Sequence, residues 1–497
     1  MVYNFNLGIG WASSGVEYAQ SYRAGVLRKI GIDAKFVFTD MFPRDNIAEM
    51  TENIGFLDSE VIWLYTFFSD FKTAPVSYTL ETLEKSLGER IHTFSREGKI
   101  GKFEFDGKGS FYRIYFTNED SEFVHRVEIV ENNRLIRKDY FTYGRIFSEY
   151  YAPFDGKAKL YQRRFFNENG TTCYEMIIDG DSEFYKFPDE LICTKEDFIG
   201  YMVRSLKLTS DDIVIIDRVT GIGQAILENM GDAKLGVVVH ADHFSEGATD
   251  DDNILWNNYY EYQFKYYEYV DFYITATDAQ NQLIREQFRK YVGAEPNVVT
   301  IPVGSIDELK YPSTDGRKSH SLITASRLAS EKHVDWIINA VAMAKEAVPD
   351  ITLDIYGKGG EEKKLSELIK EHNASDYIFL KGHHNLSEIY QNYEAYISGS
   401  TSEGFGLTLL EAIGAGLPIV GFDVRYGNQT FIIEGKNGYK LKIDDSMDGK
   451  TKTKLLADAL VKLFTEDDLE EMHKVSYERA KEFLTTEVEK KWKEVLS

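Results

Sequence analysis

The chain has 497 residues, 43% of them hydrophobic and 28% charged, with 9 prolines; this excludes a disordered or collagen-like chain and predicts a globular protein of roughly three domains at ~150 residues each. Its 57 basic residues against 81 acidic ones leave a net charge of −24, which argues against a sequence-independent grip on nucleic acid or on an anionic bilayer. Two cysteines, Cys173 and Cys193, make neither a disulfide framework nor a four-thiolate zinc site, so reduced thiols in the cytoplasm are expected.

The first residues lack a basic region followed by an apolar one, and no stretch reaches about 18 uninterrupted apolar residues, so neither export nor a membrane span is expected. Residues 3–7 read as a strand, 8–15 as a small-residue loop and 16–29 as a helix. Residues 36–38 and 61–65 read as further buried strands, which together make the start of a parallel α/β sheet. Between 76 and 194 the period changes to two, and Asn132-Asn133 and Asn169-Gly170 stand between strand-like runs as hairpin signals. This region is predicted to be an antiparallel, aromatic-rich insertion with one face free to meet a partner.

The α/β rhythm then resumes, with strands at 213–216, 236–240, 272–275 and 298–301 and helices at 221–230 and 279–291. The aromatic cluster 259–269 reads as helix packing and cleft lining, since it lacks the basic face of an interfacial helix. A polar stretch at 307–319 suits a linker. Beyond it lies a second α/β set, with strands at 322–325, 351–356, 378–380, 395–398 and 419–422, and a last helix at 478–496.

The most informative run is 401–412, Thr-Ser-Glu-Gly-Phe-Gly-Leu-Thr-Leu-Leu-Glu-Ala, which sets Glu403 and Glu411 eight positions apart. Eight residues is a little over two helical turns, so a carboxylate in the loop meets the tip of a ligand while one on the helix meets a part further along it. The backbone N–H groups of Gly404, Phe405 and Gly406 stand at a helix start, where hydroxyl or phosphate oxygens are bound. The plainer alternative is an amphipathic helix whose dipole Glu403 complements. Arg327 and Lys332 follow a strand and are five residues apart, a pair suited to clamp a diphosphate at the C-terminal edge of a parallel sheet; solvated surface cations are the competing reading.

These motifs, with Tyr356-Gly357-Lys358-Gly359-Gly360-Glu361 and the segment 427–439, resemble the retaining nucleotide-sugar glycosyltransferases of GT-B fold. Residues 8–20, the β-rich insertion and the run Val239-His240-Ala241-Asp242-His243-Phe244 extend the resemblance over the whole chain, to the accessory Sec system glycosyltransferases (the GtfA family) that modify serine-rich repeat adhesins of Gram-positive bacteria. One departure from the broad family is His333, which follows Lys332 where most relatives have glycine.

The resemblance implies an α/β fold of GT-B type, two Rossmann-like domains facing a cleft with an antiparallel β-sheet insertion in the N-terminal one. On this sequence the first domain takes 1–75 and 195–306, the partner- and acceptor-binding insertion 76–194, the nucleotide-sugar domain 307–475, and a terminal helix crossing back 476–497. The implied reaction moves N-acetylglucosamine, or glucose, from a UDP-sugar onto Ser/Thr hydroxyls of a serine-rich repeat adhesin, as the first step of its O-glycosylation. The implied partner is a non-catalytic GtfB-like homologue in a hetero-oligomer, in the cytoplasm with at most peripheral contact at the inner face of the membrane.

By the same resemblance, Arg327 and Lys332 neutralise the departing diphosphate, Glu411 holds the ribose, and Glu403 with the backbone of Gly404, Phe405 and Gly406 grips the donor sugar. His240 approaches the sugar, His383 and His384 lie where relatives contact the uracil through the main chain, and Gly15, Val16, Glu17 and Tyr18 complete the diphosphate site. No metal or other cofactor is expected: His383 and His384 point to opposite sides of an extended segment and no carboxylate triad accompanies them, while the two cations supply the charge that a divalent ion gives elsewhere. Read without the family, His240 is an ordinary strand-end residue and the glycine loop at 8–15 is weak evidence. Alternatives are a poly(glycerol-phosphate) teichoic-acid glucosyltransferase, a non-catalytic stabilising subunit, which the intact Glu403, Glu411, Arg327 and Lys332 oppose, and a glycogen-type synthase, which the insertion opposes.

Overall fold

The computed structural model describes all residues except 12–14, 89, 91, 106–108, 219, 241, 315 and 445; part of the glycine loop, one predicted turn of the insertion and one linker residue therefore lie outside the described residues. The chain divides into two compact units, Met1–Val238 with Trp256–Asp271, and Val239–Leu255 with Phe272–Ser497.

In the first unit the parallel strands run in the order Lys234–Val239, Ile213–Ile216, Val2–Asn6, Ala34–Phe38, Val61–Trp63. Their apolar runs are buried on both faces, as a parallel sheet under crossover connections requires. The helix Gly15–Lys29 follows the first strand, and its Arg23 makes a buried ion pair with Asp217, which follows the neighbouring strand, at 2.6 Å. The helix is thus tied to the sheet by charge as well as by Val16, Ala24 and Leu27, all buried.

The insertion is a single ten-stranded antiparallel sheet, from His92–Glu97 to Leu191–Ile192, in strict meander order. Asn132 and Asn133, at φ 52° and 60°, close the hairpin between Val124–Glu131 and Arg134–Phe141, as a type I′ turn demands of its two central residues. Alternate residues Phe103, Phe105, Ile114, Phe116, Val127 and Ile129 form one buried cluster. That cluster is closed by Leu83 from the helix Leu80–Ser86, an element the sequence reading left out. At the other end of the sheet, Phe165, Tyr174 and Phe187 stack in series, with ring centroids 4.5 and 4.7 Å apart. Phe165 also stacks on Tyr65, and the Tyr174 hydroxyl donates to the Tyr65 carbonyl at 2.8 Å, so aromatic packing fixes the insertion to the parallel layer of its own unit.

The second unit contains a six-stranded parallel sheet in the order Ile378–Gly382, Thr352–Tyr356, Ser321–Ala325, Ala395–Ile397, Ile419–Phe422, Gly438–Leu441. The last of these was not expected, because Gly438 and Lys440 break its apolar run. Within the polar stretch 307–319 the half-buried Arg317 guanidinium donates to the carbonyls of Gln391, Tyr393 and Ala415. One further expectation is corrected. The predicted single helix at 478–496 is two, Leu469–Lys481 and Thr485–Val495. The break turns Phe483 into the core beside Phe431, while Thr485 N–H donates to Ile306 O at 3.0 Å. A shorter helix than predicted follows the strand Ile213–Ile216, at Gly223–Leu227, while the helix expected at 279–291 is present as Asp278–Gln287 running on into a π-helical turn, Phe288–Val292.

Candidate functional site

The strand Ala395–Ile397 ends in the loop that carries Glu403, and the helix Leu407–Gly414 begins directly behind it. Gly406 caps that helix at φ 86°, a left-handed conformation that favours glycine. Its carbonyl accepts from the N–H groups of both Leu409 and Leu410 at 3.0 Å. Phe405 sends its ring into the core, 5.2 Å from Phe431, so only its backbone is free to serve a ligand. The expected geometry of this run is therefore present, with the loop carboxylate ahead of the helix and Glu411 in its second turn.

Lys332 reaches Glu403 across 71 positions of sequence: its ammonium donates to the carboxylate at 2.7 Å, with both side chains about one-fifth exposed at 18% and 20%. Arg327 stands apart from this pair, 79% exposed and held by Glu331 at 3.2 Å. The two predicted clamp cations thus sit on one short segment, but one is engaged with the loop carboxylate and the other lies at the surface. The segment starts where the strand Ser321–Ala325 ends, at the carboxyl edge of the sheet where open α/β folds bind ligands.

His240 belongs to the same unit, and its carbonyl oxygen passes 3.4 Å from the place a Cβ on Gly404 would occupy, which puts it beside the Glu403 loop. Three residues on lies a support that the sequence reading missed. His243 is fully buried, with Nε2 2.6 Å from Gln287 Oε1 and Nδ1 3.4 Å from the Tyr426 hydroxyl. Burial lowers its pKa to about 4, so the ring is neutral and donates to Gln287 Oε1 through Nε2. Tyr426 N–H in turn donates to Glu403 O. Polar residues that are buried between two segments far apart in sequence leave no periodic signal, and the second histidine of the 239–244 run was the one available clue.

Glu411 keeps surface open to a cavity of ≈ 430 Å³ that Tyr390, Asn385, Ser305 and Asp307 also line. Protein packed around it nonetheless desolvates the carboxyl and raises its pKa, and the neighbouring Tyr390 phenol pulls it partly back. His383 and His384 are exposed just past the strand Ile378–Gly382; His384 Nε2 lies 2.8 Å from Lys381 O. Gly15, Val16, Glu17 and Tyr18 open the helix Gly15–Lys29 of the other unit: Gly15 is exposed with nothing within 4 Å of a Cβ there, Val16 is buried, and Tyr18 is 54% exposed. Among the described residues, no three His, Cys, Asp or Glu side chains converge as metal ligands, and no helix is long and apolar enough to cross a membrane.

Comparison with known proteins gives two family matches, the GtfA extended beta-sheet domain over residues 93–189 and glycosyl transferases group 1 over 306–480. The GtfA subunit of UDP-N-acetylglucosamine–peptide N-acetylglucosaminyltransferase from Streptococcus gordonii is 51% identical over 100% of this chain and 98% of its own length. Among solved structures, a GtfA/B complex matches with a TM-score of 0.97 at 51% identity, covering 100% of this chain and 99% of that one. The pneumococcal O-GlcNAc transferase GtfA in complex with UDP and GlcNAc matches with a TM-score of 0.86 at 51% identity, covering 100% and 98%. By contrast, the poly(glycerol-phosphate) alpha-glucosyltransferase of Bacillus subtilis is 28% identical over 42% of this chain and 30% of its own length.

Proposed function

The chain belongs to the family of GtfA subunits of UDP-N-acetylglucosamine–peptide N-acetylglucosaminyltransferases, and from that premise we propose that it is a retaining GT-B enzyme that moves N-acetylglucosamine from UDP-GlcNAc to Ser/Thr hydroxyls of a serine-rich repeat protein. The observation that carries this reading is the Lys332–Glu403 pair at 2.7 Å, set at the head of a helix whose second turn bears Glu411 and beside the backbone of His240. A cation paired with a loop carboxylate, with a second carboxylate on the helix that follows, supports the binding of a ligand that carries both phosphate and hydroxyl groups.

In this reading Glu411 accepts hydrogen bonds from the ribose hydroxyls, and Glu403 with the N–H groups of Gly404 to Gly406 holds the sugar. His240 meets the sugar from its other side, and the main chain around His383 and His384 contacts the uracil. Lys332 and Arg327 meet the diphosphate. The acceptor hydroxyl attacks the anomeric carbon on the face that UDP leaves, through an oxocarbenium-like transition state. The C–O bond to phosphate breaks as the new glycosidic bond forms, and the departing phosphate oxygen takes the hydroxyl proton. Catalysis then rests on stabilising the charge that gathers on the leaving group, not on a strong base, and the two cations make a metal unnecessary.

The partner in this reading is a GtfB-like homologue, with which the chain acts in the cytoplasm, at most peripherally at the membrane. Exposed Phe94, Phe154, Tyr161 and Leu191 on the antiparallel sheet support a role for it in docking the partner and the acceptor. The experiment is an acceptor competition: the purified complex is given UDP-GlcNAc with either a serine-rich peptide or poly(glycerol phosphate). UDP release that rises with peptide alone supports the reading. Release driven by the polymer would transfer the chain to the teichoic-acid class.

A further inference from the structure

His333 directly follows Lys332, and no step of the proposed reaction uses its side chain. Its backbone has φ 45° and ψ 45°, the left-handed region that glycine enters freely and a residue with a side chain enters at some cost. The ring has a partner that offsets this cost: it lies on Trp336 with centroids 3.7 Å apart and planes 9° from parallel. Trp336 is itself fixed, with its ring edge-on to Phe422 at 6.0 Å and its Nε1 3.0 Å from where a Cβ on Gly449 would lie.

On the other side the peptide is pressed against the loop that carries Glu403. A Cβ on Gly399 would meet the carbonyl oxygens of His333 at 2.7 Å and of Lys332 at 3.1 Å. Residues 332–333 are therefore sandwiched between a backbone floor at Gly399 and an aromatic splint at Trp336. The Lys332 ammonium projects from this held peptide to Glu403.

We propose that His333 is a positioning residue whose stack on Trp336 fixes the peptide of Lys332 and so holds the Lys332–Glu403 pair in register for the donor. This rests on the reading that Lys332 and Glu403 bind the donor. Glycine at this position would supply the same backbone shape but leave the lysine free to wander; the histidine trades that freedom for a fixed charge.

The test uses the chain assembled with its partner, measuring kcat and KM for UDP-GlcNAc and thermal midpoints of four variants: His333→Gly, His333→Phe, Lys332→Ala and the double variant Lys332→Ala/His333→Gly. Glycine keeps the left-handed backbone and loses the stack, so kcat falls about tenfold with a near-normal thermal midpoint, a loss in keeping with sub-ångström misplacement of a charged group. Phenylalanine restores the stack and recovers most of that loss. Added to Lys332→Ala, His333→Gly costs less than about twofold more, because its effect runs through the absent ammonium. Wild-type kcat in His333→Gly, or losses that simply multiply in the double variant, would overturn the positioning role while leaving the donor site standing. Wild-type kcat in Lys332→Ala would overturn the donor-site reading, and this inference with it.

Discussion

Removing the Lys332 ammonium should cost both turnover and stability. Lys332 and Glu403 lie 2.7 Å apart at 18% and 20% exposure, dry enough for charge to count: at an effective dielectric of 20, two unit charges 4 Å apart interact by about 4 kcal/mol. Loss of one preorganised donor to a developing oxyanion costs about 2.7–4 kcal/mol by mutation, so Lys332→Ala should lower kcat by roughly 100- to 1,000-fold. The same change strands the Glu403 carboxylate, at about 1–3 kcal/mol of stability. Arg327→Ala is the control: at 79% exposure its ion pair with Glu331 contributes little to folding, so its stability should stay within ~0.5 kcal/mol while kcat falls about a hundredfold or more. The assay is release of UDP and transfer to a serine-rich peptide by the purified complex, alongside thermal unfolding. A Lys332→Ala enzyme within about threefold of wild type would refute the charge argument, since it would leave at most ~0.7 kcal/mol for the ammonium.

Glu411→Gln should raise KM for the donor and also raise the thermal midpoint at neutral pH. The Glu411 carboxyl titrates above its unfolded value, so its ionisation costs the folded state stability as pH rises through the interval between the two values, and below that interval the cost disappears; an unchanged midpoint with unchanged KM contradicts both assignments. The same shift predicts that donor affinity weakens on acidification at a higher pH than an ordinary carboxylate would give, read from KM against pH in wild type but not in Glu411→Gln. Asp217→Ala leaves the buried Arg23 charge, 3% exposed, without its carboxylate and should cost about 3–5 kcal/mol in denaturant unfolding; a loss under ~1 kcal/mol would count against the pair as an anchor of the helix Gly15–Lys29. Chelation with EDTA should leave the transfer rate unchanged, and a rate restored only by added Mg²⁺ or Mn²⁺ would show that the cations alone do not suffice.

Local grammar made most of the architecture readable. Period-two runs and the Asn132-Asn133 turn announced the meander, and the strand, glycine loop and helix at the start announced a parallel sheet. What escaped was set by distant partners. The chain breaks between Lys481 and Thr485 without proline or glycine, because burying Phe483 and pairing with Ile306 outweigh a continuous helix. The strand Gly438–Leu441 has too little apolar content to declare itself and forms by pairing with Ile419–Phe422. At the site, the spacing of Glu403 and Glu411 and the two cations were legible as a linear motif. That Lys332 meets Glu403 while Arg327 does not, and that Gln287, His243 and Tyr426 brace the loop from behind, depend on contacts between segments 44 to 183 positions apart.

Mass spectrometry of a serine-rich peptide, after incubation with UDP-GlcNAc and the chain co-purified with a GtfB-like partner, reads the transfer itself. N-acetylhexosamine increments are expected on Ser and Thr, matched one to one by UDP released and lost in Lys332→Ala. A hexose increment with UDP-glucose as the preferred donor, or no increment at all while the polymer acceptor is glycosylated, would contradict the proposed transfer.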